Sequence, residues 1–253
     1  MAWKIEMAPY DQFILFGDSI TQCSNEPNGF SFASAIQNAY ARKLDVINRG
    51  FSGYTTNHAL EILPKFFPSP SQAKVRFLLI FFGANDLNRG RSTKQHVPLP
   101  QFVINLKAII SHPLIRAHSP KIILVTPGPV DEATSRIMNI DWANSDEPRR
   151  VSWTMEYRDA VKRVGEEEGL GVVDIWSAFM GACLEENGKD KKLTKLLYDA
   201  RFSPMAIRQL QYTLAAAYNK APKSACPSGL LKLVPMQWSY QDEPICLILF
   251  KPC

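Results

Sequence analysis

A chain of 253 residues, 46% hydrophobic and 21% charged, has the length for one globular domain with a sizeable core. Its net charge of +5 is scattered, with no Lys/Arg block interleaved with aromatics, which argues against a nucleic-acid partner. The N-terminus lacks the apolar segment of a signal peptide, no apolar run is long enough to span a bilayer, and the five cysteines contain no Cys-x-x-Cys pair, so a cytoplasmic protein without a disulfide framework or zinc site is expected.

Residues 13–16 are a continuous apolar run closed by Gly17-Asp18-Ser19, which reads as a buried strand of a parallel sheet. Gly17 allows a sharp turn and presents Ser19 at the carboxyl end of the strand, where open α/β sheets bind ligands. A hydroxyl there becomes a nucleophile if a base takes its proton and N–H groups hold an oxyanion. The alternative is that Asp18 or Ser19 merely caps the following helix. After a polar loop over 22–28, the spacing predicts a helix over 29–43, with Phe32, Ala35, Ile36, Ala39 and Tyr40 on one face.

A second strand over 44–48 runs into Arg49-Gly50-Phe51-Ser52-Gly53-Tyr54, whose two glycines suggest close backbone approach or positive φ. A helix through Ala59, Leu60, Ile62 and Leu63 follows, capped by Thr55 or Thr56 and ended by Pro64, Pro68 and Pro70. Residues 75–82 form the strongest buried strand and end in Gly83-Ala84-Asn85-Asp86, where Asn85 either donates into the crevice beside Ser19 or forms an ordinary Asx turn. A polar loop through His96, a helix over 100–110, a fourth strand over 121–126 and a polar excursion over 131–150 come next. The excursion has the length of a lid or binding loop. A helix over 152–168 stopped by Gly169, a fifth strand over 171–175 and a helix through Leu184 precede a charged run and a last helix over 205–218. The order of strands and helices argues a three-layer α/β/α fold around a parallel sheet of about five strands. The absence of G-x-G-x-x-G, Walker A and G-x-S-x-G patterns removes support for nucleotide binding and for the common α/β-hydrolase plan.

Gly17-Asp18-Ser19, Gly50-Phe51-Ser52-Gly53 and Gly83-Ala84-Asn85-Asp86 each follow a predicted strand, so all three belong on one edge of the sheet. In that order and spacing the sequence resembles the SGNH (GDSL-type) hydrolases, in particular their isoamyl acetate-hydrolysing esterase branch. Residues 16–21, 48–54 and 82–86 are similar to blocks I, II and III, and 95–99 also resembles a stretch of that branch. The likeness extends over about 12–215; it implies a single flavodoxin-like domain over 1–253, with its core at about 12–218, and leaves the tail over 219–253 without a reading. It further implies Ser19 as nucleophile supported by Asp18, an oxyanion hole of the Ser19 N–H, the Gly53 N–H and the Asn85 side chain, a small-molecule ester as substrate, and no metal or organic cofactor.

One part of the pattern is broken. The family closes its triad with Asp-x-x-His, but here the matching stretch is Tyr198-Asp199-Ala200-Arg201-Phe202-Ser203-Pro204, one residue short and without the histidine. Asp199 would be the triad acid with no imidazole to orient, or else a partner of Arg201 or a helix cap. His58 and His96 follow strands on the correct edge and are candidate substitutes, whereas His112 and His118 precede the fourth strand and belong on the opposite edge. Three expectations follow: a weak esterase, a pseudoenzyme that binds acyl or ester ligands, or a sequence variant of an active esterase with a lesion at Ala200-Arg201.

Overall fold

In the computed structural model the described residues are 10–25, 32–91, 93–130, 132, 147 and 149–185, with side chains through 180, together with the backbone of 232–240 and 243–251. Five strands form the main sheet: β1 (Gln12–Gly17), β2 (Asp45–Gly50), β3 (Val75–Phe81), β4 (Lys121–Val125) and β5 (Gly171–Val173). Every pairing is parallel and the spatial order is β2-β1-β3-β4-β5. This is the expected parallel sheet of five strands.

The apolar runs lack alternation because both faces of the sheet are covered. On one face Ile14, Phe16, Leu78, Ile80 and Leu124 pack against α3 (Thr56–Phe66), α4 (Leu99–Ile110) and α6 (Val151–Glu167), through Leu63, Phe102, Leu106, Tyr157 and Val161. On the other, Phe13, Leu15, Leu79, Phe81 and Ile123 pack against α2 (Phe32–Ala39) and the start of α7 (Ile175–Glu185). The chain leaves β1 over one face and leaves β2 over the other. The connections therefore diverge at the carboxyl ends of β1 and β3, and a crevice opens there.

Several expected boundaries move. The helix predicted over 29–43 is observed as Phe32–Ala39, and residues 40–43 turn away with Arg42 at φ 60°. Pro64 lies inside α3 rather than ending it; so near the C-terminus its missing N–H forfeits a single intrahelical bond to the Leu60 carbonyl. Asp174 and Ile175 leave the fifth strand, because Asp174 accepts from the Ser177 N–H at 3.0 Å and the Ser177 hydroxyl at 2.8 Å at the start of α7. An unanticipated helix, α5 (Pro113–His118), has Pro at its first position and His112 capping it through Leu114 N–H. Strands β6 (Lys232–Tyr240) and β7 (Glu243–Lys251) form an antiparallel hairpin, which contains the apolar run 245–250. Asp199, the broken motif over 198–204, the helix expected over 205–218 and most of the 131–150 excursion lie outside the described residues.

Candidate active site

The carboxyl ends of β1 and β2 form a flat seat. Gly17 and Gly50 are register partners, and α1 (Ser19–Gln22) rests directly on them. A Cβ at Gly17 would lie 2.6 Å from the Phe81 carbonyl oxygen, and one at Gly50 would lie 2.0 Å from Gln22 N and 2.4 Å from its Cα. Glycine is therefore required at Gly50 so that the backbones of α1 and β2 can touch, and at Gly17 so that β1 can pass the Phe81 carbonyl and the Thr21 side chain. Asn48 of β2 ties the seat together: its Nδ2 donates to the Thr21 carbonyl at 2.8 Å and its Oδ1 accepts from Gly50 N–H at 2.9 Å. Gln22 Oε1 in turn accepts from Ser52 N–H at 2.7 Å.

Asp18 is the N-cap of α1, with Oδ1 accepting from Ile20 N–H at 2.9 Å. The capping alternative for the Gly-Asp-Ser turn is realised by Asp18, and Ser19 is left half-buried as the first helical residue. Among the described residues nothing hydrogen-bonds the Ser19 hydroxyl. Its backbone N–H belongs to the first turn of a helix, where N–H groups have no intrahelical acceptor and the local potential is positive.

The turn after β2 spends its donors almost completely. Gly50 N–H goes to Asn48 Oδ1, Phe51 N–H to the Gly17 carbonyl, Ser52 N–H to Gln22 Oε1, Tyr54 N–H to the Phe51 carbonyl, Thr55 N–H to His58 Nδ1 and Thr56 N–H to Asp86 Oδ1. Among the described residues Gly53 N–H alone in this run has no acceptor. Gly53 sits at φ 78°, which side-chain-bearing residues rarely adopt, and Gln95 Nε2 clamps its carbonyl at 3.1 Å.

The turn after β3 brings in Asn85, 6% exposed, whose Nδ2 donates to the Tyr54 carbonyl at 2.9 Å. Its Oδ1 accepts from Arg149 Nη2 at 3.4 Å. Asp86 ties this turn to α3, with Oδ1 accepting from the Thr56 N–H at 2.8 Å and hydroxyl at 2.6 Å, while Asn105 donates to the same hydroxyl at 3.0 Å. The expected edge-sharing of the three turns is observed, and direct hydrogen bonds connect them.

This edge is charged beneath its surface. Burial pushes Asp18 up to about 7, with further lifting by Asp86, opposed by the Ile20 N–H bond and the attraction of Arg149. Burial likewise raises Asp86 to about 6 against its bonds from Thr56, and it lowers Arg149, which Asp18 pulls back up. Asp18 Oδ2 and Asp86 Oδ2 are buried without a partner among the described residues. Because the folded-state pKa of Asp18 lies above 3.8, the fold prefers the protonated carboxyl: its stability contribution is complete below about pH 4 and is lost as the pH rises through 7. Asp18→Asn, which keeps an acceptor for Ile20 N–H, should therefore stabilise the protein at pH 8. A displacement of this size, in which the attraction of Arg149 is already included, is worth about 4 kcal/mol. Urea unfolding at pH 8 and pH 4 checks this: the gain should close at pH 4, and a net loss at pH 8 would refute it.

None of the four histidines contacts Ser19. His58 is exposed on the first turn of α3, where its Nδ1 accepts from Thr55 N–H at 3.2 Å as half of a capping box. His96 is exposed, with Nδ1 3.0 Å from the Asp86 carbonyl oxygen. His112 and His118 lie at the amino-terminal side of the sheet, as expected. His118 is buried, its Nδ1 accepting from Val75 N–H at 3.1 Å and its Nε2 donating to the Pro68 carbonyl at 2.8 Å. Arg149, Gln22 and Asn105 have no local signature in the sequence, since each acts on a partner distant along the chain, and Gln95 is legible only through the resemblance of residues 95–99. Among the described residues no cluster of three His, Cys, Asp or Glu side chains is placed to hold a metal ion, and no helix is long and apolar enough to cross a membrane.

Residues 15–191 match the family described as "GDSL-like Lipase/Acylhydrolase". An Arabidopsis thaliana GDSL esterase/lipase is 39% identical over 178 residues, covering 66% of this chain and 70% of the relative. The isoamyl acetate-hydrolyzing esterase of Saccharomyces cerevisiae is 31% identical over 182 residues, covering 67% and 72%. Among solved structures, the acetylxylan esterase Axe2 from Geobacillus stearothermophilus superposes with a TM-score of 0.58 at 20% identity, over 84% of this chain and 96% of that one. The last is a likeness of fold.

Proposed function

We propose, because the chain belongs to the GDSL-like lipase/acylhydrolase family, that it is a serine-type carboxylic ester hydrolase acting on small acyl esters through Ser19. In this reading Ser19 Oγ bonds to the ester carbonyl carbon as its hydroxyl proton passes to water, and the developing oxyanion accepts hydrogen bonds from Ser19 N–H, Gly53 N–H and Asn85 Nδ2–H. The bond to the ester oxygen then breaks and the leaving alkoxide takes a proton from water; a second water attacks the acyl-serine, releasing the acid and returning a proton to Ser19 Oγ. The observation that carries the reading is Gly53, whose N–H has no acceptor among the described residues in a turn whose neighbouring donors are all engaged. A fixed donor at that place can be worth about 3 kcal/mol to a tetrahedral oxyanion. The relatives named for isoamyl acetate and acetylxylan hydrolysis support a short acyl group.

Ser19→Ala is expected to reduce hydrolysis of p-nitrophenyl acetate to the uncatalysed background in the purified protein. Unchanged turnover in the variant would remove Ser19 as nucleophile. A second reading, a binder of acyl or ester ligands without turnover, is favoured by the absence of histidine from residues 198–204 and by the engagement of His58 and His96 in caps and turns. It predicts no Ser19-dependent hydrolysis, but saturable binding of a short-chain ester. A lesion at Ala200-Arg201 in an otherwise active esterase is the third reading.

A further inference from the structure

We propose that Arg149 is a positioning residue that fixes the orientation of the Asn85 amide, so that one Nδ2 proton is held for the ligand oxygen. The proposal rests on the hydrolase reading for the use of that proton, but not for the orientation itself. Asn85 has two neighbours of opposite chemistry. The Tyr54 carbonyl can only accept and stands 2.9 Å from Nδ2; the Arg149 guanidinium can only donate, with Nη2 3.4 Å from Oδ1. Turning the amide over would set two acceptors against each other at Tyr54 and two donors against each other at Arg149. The flip would also turn Oδ1 toward a developing oxyanion. With Arg149 in place one Nδ2 proton is committed to Tyr54 and the other keeps its direction.

The guanidinium also strengthens that donor. An amide oxygen that accepts from a cation has a more polarised N–H at its other end. The cation is retained underneath by the Asp18 carboxyl, which attracts it electrostatically. Arg149 Nε is itself buried without a partner among the described residues. The guanidinium is thus held by charge from Asp18 and aimed by Asn85. It reaches the site from the residue pair preceding α6, 64 positions after Asn85.

The test separates aiming from charge. Arg149→Met removes both, whereas Arg149→Lys keeps a cation near Asp18 but is too short to replace the Nη2 contact. The side-chain amide protons of Asn85, assigned by their loss in Asn85→Ala, are followed by 15N NMR with turnover of p-nitrophenyl acetate beside them. Both Arg149 variants should shift the Asn85 amide resonances. Both should lower kcat roughly 10- to 30-fold, less than the ~10²–10³ lost with an entire oxyanion donor, with KM changed by less than about threefold. In the Asn85→Ala background either Arg149 substitution should cost little more. If Arg149→Met does not fold, Arg149→Lys alone decides the matter. Unchanged Asn85 amide resonances in a folded Arg149→Lys protein, or an equal loss of kcat with and without Asn85, would overturn the proposal. If Ser19→Ala turns over as fast as the parent, the hydrolase reading fails, and the amide resonances still decide the role of Arg149.

Discussion

Replacing Ala200-Arg201 by Gly-Leu-His should raise Ser19-dependent ester hydrolysis by about 10²–10⁴-fold, the range a positioned general base contributes. The reasoning starts from the serine hydroxyl, a poor nucleophile until a neighbouring base takes its proton. The described part of the site holds the Gly53 N–H, the Asn85 amide and a helix N-terminus but offers Ser19 no imidazole: His58 and His96 are engaged elsewhere, and His112 and His118 serve the far side of the sheet. The sequence retains Asp199 and Ser203-Pro204 on either side of a gap one residue too short. The exchange restores both the spacing and the base. Hydrolysis of p-nitrophenyl acetate by purified parent and variant measures the gain, and adding Ser19→Ala to the variant should abolish it. A folded variant with no gain would mean that the pocket around Ser19 has diverged along with its base. Parent activity equal to the variant's would mean that another group already takes the Ser19 proton.

Gly50→Ala should cost about 3 kcal/mol or more and leave little folded protein, at the upper end of what overpacking does because backbone must move. The added methyl would stand 2.0 Å from Gln22 N and 2.4 Å from Gln22 Cα, atoms that no rotamer change can withdraw. Lifting α1 from its seat also loosens the Asn48–Thr21 and Gln22–Ser52 bonds. Gly169→Ala is the contrast: φ there is 65°, but nothing lies within 4 Å of the new carbon, so its cost is conformational and about 1 kcal/mol. Urea unfolding of both variants measures the difference. A Gly50→Ala protein as stable as the parent would mean that α1 is not seated on β2.

The strands were legible because a parallel sheet covered on both faces asks for unbroken apolar runs, and residues 77–82 supply one that no helix of this length would need. Where boundaries slipped, a local signal competed with the run. Asp174 interrupts an apolar stretch to cap α7, and α5 is too short for periodicity to reveal, leaving His112-Pro113 as its one clue. The three turns of the candidate site could be read from Gly-rich ends of strands, since turn chemistry is local. What orients them could not. Arg149 meets Asn85, Gln95 meets Gly53 and Asn105 meets Thr56 across 64, 42 and 49 positions of chain, and no spacing rule anticipates such meetings. Asp18, expected as a support for Ser19, is observed as a fully buried helix cap whose ionisation opposes folding at neutral pH.

The hydrogen bonds that shape this pocket also hold the molecule together, and that determines what its ancestry preserves. Asn85 fastens the Tyr54 turn, Asp86 anchors α3, Asn48 locks α1, and Gly17 and Gly50 make room for that helix. A lineage that stopped hydrolysing esters would keep all of these, because losing any of them would harm folding itself. The Ser19 hydroxyl has no such second duty among the described residues. Among the described residues of the site, Ser19 is therefore the one that drift could change without harming folding, and a serine there tells more about past selection than the glycines and asparagines around it.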